Sequence, residues 1–288
     1  MSSQPKQPGA KGANYHKECT GEALETAKAH SQPSELVLFG ACFCPFVHRV
    51  WIALEAMHIP YQYVEVDPYA KPKALLDLNP RGLVPALKLG KSEGKGLGES
   101  TVIMEYLEEA YSLSSTSSGD HPSLLPPLSD AYSRALARLA ADKLNRNLIP
   151  AFYRYLQAQT TEKQIEGAKD FLSALHDFID SMHPPSSSSA GFWNGSKLSW
   201  TDVMVAPWLF RATNVLRHFR GFEWDKMIEG QERKDRFRAW TQAVFAHEAF
   251  RKTTSSEELY LDSYVRYAEN RPNTSQVANA INSGRALP

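Results

Sequence analysis

Two of the chain's three cysteines stand one residue apart in GACFCPFVHR, residues 40–49. Cysteine does chemistry as a thiolate, so the useful sulfur is the one whose surroundings favour the anion. Pro45 separates the two. Proline is favoured at the first position of a helix, where its missing N–H costs nothing. That makes Cys44 the N-cap, with its sulfur beside the free N–H groups of Phe46 and Val47 at the positive end of the helix dipole. An unperturbed cysteine has a pKa of about 8.5, and a helix N-terminus lowers it to roughly 3.5–7.5. Cys42 precedes the turn and has no comparable field. Cysteines one residue apart close a disulfide poorly, and Val47 occupies the place of a resolving cysteine in a Cys-x-x-Cys pair. The pattern predicts a single-thiol site at Cys44; it also fits two buried small apolar side chains. His48, four residues on, is a secondary candidate for polarising the sulfur. Arg49 reads as a solvated or salt-bridged side chain. His16, Cys19, Cys42 and Cys44 form no recognised metal-ligand spacing, so no metal is expected.

A helix that opens at Pro45 needs a strand to deliver it. ELVLFG is an apolar run with strand character, and Val47, Val50, Trp51, Leu54 and Met57 then recur at helical spacing. YQYVEVD, β-branched and aromatic, is a second strand. KPKALLDLNP is a short helix ended by Asn79-Pro80. LVPALKL and GKGLGE are short strands around a Gly/Lys/Ser turn, and STVIMEYLEEAY is a helix with Ser100 as its N-cap. The order β-α-β-α-β-β-α makes the first strand pair parallel and the last a hairpin. The polar, then Pro-rich SLSSTSSGDHPSLLPP reads as a linker. From Ser129 to about Glu269 only helical patterns follow. One long segment is interrupted by Pro150. Another carries Phe171, Leu172, Leu175, Phe178, Ile179 and Met182 in one stripe and ends at PPSSSSAG. SWTDVMVAPWLFRATNVLRHF opens with Ser199 and Asp202 as a structural capping pair. Two more helices are expected near 229–248 and 256–269.

The expected division is a flexible extension over 1–33, with a short helix at Glu22–His30, then an α/β domain over 34–112. A linker over 113–128, an all-helical domain over 129–270 and a frayed tail over 271–288 complete it.

The 288 residues are enough for one large domain or two ordinary ones. Lys plus Arg and Asp plus Glu number 32 each, so no net field draws nucleic acid or anionic lipid. No apolar run approaches the roughly 20 residues that span a bilayer. The first residues lack the apolar stretch of a secretory signal, and the cysteines are too sparse for a disulfide scaffold. The expected setting is reducing and cytoplasmic, with no nucleic-acid or membrane partner.

CPF opening the first helix, NPRGLVPAL some way on, GES starting another helix and an all-helical second half with a Ser-x-x-Asp cap occur together. As a set they resemble the cytosolic glutathione transferases over residues 34 to 270. The cysteine in FCPF, where other classes carry serine or tyrosine, points to the omega class and its fungal relatives. The resemblance implies the glutathione transferase fold, a thioredoxin-like α/β N-terminal domain plus an all-α C-terminal domain, with glutathione as co-substrate. It implies that Cys44 is the thiol that pairs with glutathione, with Phe46 beside it. Val84-Pro85 would carry a cis peptide bond, and Val84 would offer its backbone to the cysteinyl unit. Lys71 would meet the glycyl carboxylate, and Glu99 and Ser100 the γ-glutamyl end. A second substrate would lie between the domains, against Phe152, Tyr153, Tyr155, Trp208 and Arg211. Pro150 and Pro207 bend their helices, which is expected to swing Phe152, Tyr153 and Trp208 toward that cleft.

The activity this implies is thiol transfer and reduction. Substrates would be small disulfide, electrophilic or aromatic compounds, including dehydroascorbate and S-phenacyl-glutathione-type ketones, handled by a homodimer. Two alternatives stand beside it. One is conjugation of glutathione to electrophiles, which calls for a hydroxyl at the sulfur. The other is a carrier of aromatic metabolites.

Overall fold

A computed structural model describes residues 15–90, 95–112, 121–183 and 191–288. The first part of the expected N-terminal extension, the linker at 113–120 and the Pro/Ser break at 184–190 lie outside the described residues.

β1 (Leu36–Gly40) delivers the chain to α2 (Pro45–Ala56), after a leading helix α1 (Gly21–Ala29). β2 (Gln62–Glu65), α3 (Lys73–Leu78), β3 (Ala86–Leu89), β4 (Gly96–Leu97) and α4 (Ser100–Leu107) follow. The four strands form one sheet in the order β2-β1-β3-β4. β1 and β2 run parallel, with Leu38 opposite Tyr63. β3 lies antiparallel to β1, with Leu87 opposite Leu38, and β4 antiparallel to β3. The parallel first pair and the closing hairpin are those the sequence order predicts. α2 is apolar all round, burying Val47, Val50, Trp51, Ile52, Ala53 and Leu54, so it sits between layers. It packs against both α4 and α8 (Trp200–Arg211). Gly40 lets it approach the sheet: a Cβ there would stand 2.7 Å from Val47 and 2.9 Å from Tyr63.

The helical half comprises α5 (Ala131–Lys143), α6 (Ile149–Gln157), α7 (Thr161–Asp180), α8, α9 (Arg217–Arg220), α10 (Trp224–Met227), α11 (Gln231–Ala246), α12 (Glu248–Lys252) and α13 (Glu257–Ala268). A π-helical turn at Leu144–Leu148 joins α5 to α6, so Pro150 falls in the first turn of α6, where a missing N–H is tolerated. Ser199 and Asp202 form the predicted capping box at α8. Both halves contribute to one continuous core; a smaller cluster of Phe39, Val66, Leu75 and Ala86 lies apart from it. Among the described residues no helix is long and apolar enough to cross a membrane.

Two expectations are corrected. From Tyr15 onward the extension is packed rather than loose. Tyr15 Oη donates to both oxygens of Asp67, at 3.0 and 2.9 Å, and the His16 backbone N–H donates to Asp262 at 2.9 Å. Cys19 is buried, with its thiol on Glu65 at 3.0 Å, and Glu22 pairs with Arg251. The segment is thus a strap bonded to the sheet side and to α12 and α13. The tail also orders, as α14 (Gln276–Asn282). Ser275 caps it through the Ala278 N–H at 2.9 Å, and Gln157 on α6 donates to Asn282 at 3.1 Å.

Candidate active site

Between the two halves lies a cavity of about 310 Å³. The start of α2 forms one side with Phe43, Cys44, Pro45 and Phe46; Lys71 and Gly82–Val84 form a second. Tyr153 on α6, Tyr267 on α13 and residues 273–277 and 279 complete it.

Cys44 is the N-cap of α2 with Pro45 after it, as the sequence predicts. Cys44 is partly exposed as a residue, whereas Cys19 and Cys42 are buried. The thiol lies 3.8 Å from the Val84 carbonyl oxygen. The helix N-terminus expected to lower the Cys44 pKa is opposed by burial. Burial pushes the Cys44 thiol up, against the pull of the Val47 and Phe46 N–H groups and then of Arg211 and Arg49. Burial likewise pushes the Cys42 thiol up, with the nearby Glu65 charge adding to it.

Neither arginine is solvated, which corrects the reading of Arg49. Arg49 is 1 % exposed, with Nε on the Met204 carbonyl at 2.8 Å, Nη1 on Ser100 Oγ at 3.3 Å and Nη2 on Asn145 Oδ1 at 2.8 Å. Its guanidinium lies 4.4 Å from the Trp208 ring centre and 5.5 Å from that of Phe46. α2 has no polar face, so its one arginine had to be buried; that pattern in VHRVWIALEA was the missed signal. His48 also turns inward. Its Nε2 lies 3.2 Å from Thr253 Oγ1 and its Nδ1 3.5 Å from Arg211, and burial followed by the Arg211 charge holds its pKa well below the usual value.

Lys71 is exposed at the rim, its Nζ donating to the Arg81 carbonyl at 3.3 Å. Gly82, at φ +60°, makes room: a Cβ there would stand 2.5 Å from the Lys71 side chain. Val84-Pro85 is a cis peptide; Val84 lies on the wall and Pro85 is buried behind it. Glu99 and Ser100 stand off the wall at the start of α4. Glu99, not Ser100, is the cap, held at φ 64° and ψ 112° and paired with Arg81 at 3.2 Å. Ser100 is the first helical residue and is buried.

Of the residues expected for a second substrate, only Tyr153 lines the cavity. Phe152, Trp208 and Arg211 are 0 % exposed, and Tyr155 is buried with its hydroxyl on the Arg220 carbonyl at 3.0 Å. The prolines do not swing these rings outward. Pro207 lies inside α8, a helix buried along nearly its whole length, and Trp208 packs edge-on to Phe46 at 4.8 Å. The residues the sequence reading missed belong to Tyr69, Tyr267 and the supposed tail. The signal was Ser275 followed by Val277, Ala278 and Ile281, a capped helix with one apolar face.

Residues 38–115 match the family model of the glutathione S-transferase N-terminal domain, and residues 130–243 that of the C-terminal domain. The crystal structure of glutathione transferase Omega 3C from Trametes versicolor is 35% identical, with a TM-score of 0.75, over 88% of this chain and 98% of that one. Glutathione S-transferase omega-1 of Sus scrofa is 29% identical over 66% of this chain and 75% of its own length. The probable cytosolic glutathione S-transferase DHAR1 of Oryza sativa subsp. japonica is 28% identical over 75% of this chain and 85% of its own length. A sheet of this topology on a helical half, a cysteine opening the first helix of the sheet domain, and matches on both sides of the cleft agree: the chain belongs to the glutathione S-transferase family.

Proposed function

We propose that the protein is a glutathione-dependent thiol transferase and reductase that works through Cys44 alone. One observation carries the reading. Cys44, a partly exposed residue, stands at the N-cap of α2 on the wall of the interdomain cavity, while the other two cysteines are buried. Glutathione, the co-substrate of the family, is an extended tripeptide with two carboxylates. In this reading its cysteinyl unit pairs with the backbone of Val84, as a peptide adds to a strand edge. Lys71 meets the glycyl carboxylate. The γ-glutamyl end approaches Glu99 and Ser100, where the N-terminus of α4 suits a carboxylate. The left-handed backbone of Glu99 supports this assignment, because a non-glycine residue persists there only when its surroundings hold it.

The chemistry balances without another reagent. Cys44 thiolate attacks the glutathionyl sulfur of a mixed disulfide, a Cys44–glutathione disulfide forms, and the substrate leaves as its thiolate. A second glutathione thiolate then attacks the glutathionyl sulfur. Glutathione disulfide departs and Cys44 returns as thiolate. The rings of Phe43, Phe46, Tyr69, Tyr153 and Tyr267 around the cavity support small aromatic compounds as substrates or as passively bound ligands. The same molecule is proposed to work as a homodimer.

Assays of two variants test the assignment. Cys44→Ser is expected to reduce thiol transfer to background, and Cys42→Ser to keep most of it. The protein exposed to glutathione disulfide should carry one adduct of about 305 Da on Cys44 that a reductant removes. Equal losses from the two substitutions would sink the single-thiol reading.

A further inference from the structure

Among the described residues, Arg211 is a buried cation without an anionic partner. It ends α8, in the helical half, and is 0 % exposed. Its Nη2 crosses to the other half and donates to the carbonyl of Phe43, the residue before Cys44, at 3.0 Å. Nη1 donates to the Pro207 carbonyl at 2.7 Å and faces Nδ1 of His48 at 3.5 Å, and Nε has no acceptor. Among the described residues it has no ion pair with an aspartate or glutamate. The rings of Tyr260 and Tyr264 cover it, with centres 4.4 and 5.8 Å from its guanidinium carbon.

A guanidinium keeps its proton at any ordinary pH, and a lone buried charge is costly. The site therefore favours whichever neighbour can become an anion. The ionisable groups near enough to act electrostatically on the sulfur are Arg49 on α2, Tyr153 on α6, Arg211 on α8, and Tyr264 and Tyr267 on α13. Burial pushes all three phenols up and keeps them neutral. His48 is buried and neutral, so it adds no charge. Cys44 shares the cavity wall with Tyr153 and Tyr267, and its sulfur has the backbone N–H groups of Val47 and Phe46 as donors for its anion.

We propose that Arg211 is the counter-ion that the helical half supplies to the Cys44 thiolate, acting as a positioning residue through Phe43 and through its charge. The inference rests on Cys44 working as a thiolate, the reading given above. It makes thiol acidity a property of the packed pair of domains, since neither half alone holds both groups.

The test reads thiol acidity without using glutathione turnover. In a Cys19→Ser/Cys42→Ser background, the rate of Cys44 alkylation by iodoacetamide is followed against pH. Arg211→Gln keeps an N–H donor for Phe43 and loses the charge. The midpoint should rise by about one pH unit or more, a slowing of about tenfold below it, while Arg211→Lys stays near the parent. An unchanged midpoint in a folded Arg211→Gln protein, checked by circular dichroism, overturns the proposal. The background protein offers a second measurement that needs no folded variant. Negatively charged iodoacetate should react faster, relative to neutral iodoacetamide, with Cys44 than with the thiol of free glutathione. A ratio at or below that of free glutathione also overturns it. Retained thiol transfer in Cys44→Ser would instead remove the function proposed above, and the alkylation midpoint would still decide the role of Arg211.

Discussion

At the scale of single residues, buried groups decide more than their types suggest. Trp208 has an indole nitrogen without a partner among the described residues, meets Phe46 edge-on and lies against the Arg49 guanidinium, so its role is packing. Trp208→Ala should cost roughly 3–5 kcal/mol in denaturant unfolding and leave the folded protein's glutathione affinity unchanged. Glu65 makes a prediction of opposite character. Burial raises its carboxyl from an ordinary 4.5 to about 7, against the Cys19 and Tyr63 donors. A pKa raised in the folded protein gives stability that is complete below about pH 4.5 and disappears as pH climbs through 7, worth roughly 3 kcal/mol. Melting followed from acid to neutral pH should show this decline, and Glu65→Gln should flatten it. Cys44 was legible in the sequence because Pro45 fixes a backbone position, and a position fixes a field. Arg49 and Arg211 were not, because a charged residue within an apolar helix has no local mark of which neighbour will satisfy it.

Among the elements, the sheet order and the helix starts follow from periodicity and caps that act within a few residues of each other. What periodicity leaves open is which face of a helix the rest of the chain will cover. Phe152, Tyr155 and Trp208 illustrate this: helical spacing places each ring on a face, and tertiary packing turns that face inward. The same gap hid α14, whose short capped pattern lies beyond the last strong apolar stripe. α14 and the loop before it close one side of the cavity, and Tyr69 Oη holds that loop at the Thr274 carbonyl at 3.2 Å. Removing residues 271–288 should therefore weaken glutathione binding, measured by titration calorimetry, by roughly 5–30-fold if one or two hydrogen bonds of about 1 kcal/mol are lost. Unchanged affinity in a folded truncation would remove α14 from the site.

For the whole molecule, one exposed surface bears on assembly. Tyr132, Leu136 and Leu139 form an exposed apolar row along α5, Leu128 is exposed in the turn before it, and Val102 on α4 is exposed too. Arg138 and Glu105 clamp the two helices at 2.6 Å. An exposed apolar row of this kind fits the interface of the homodimer proposed above. Tyr132→Glu with Leu136→Glu should convert a two-chain particle to one chain by light scattering, without loss of helical signal. A pair that stays together would place the interface elsewhere. The strap at residues 15–22 acts at the same scale. It bonds to Asp67 and Glu65 on the sheet side and to Asp262, Ser256 and Arg251 on the helical side. It therefore works like a seat belt across the two halves. How firmly the two halves are held together beside the cleft is set in part by a stretch of chain far from any reacting atom. A protease nick in that stretch would release these ties without cutting any residue of the cavity wall.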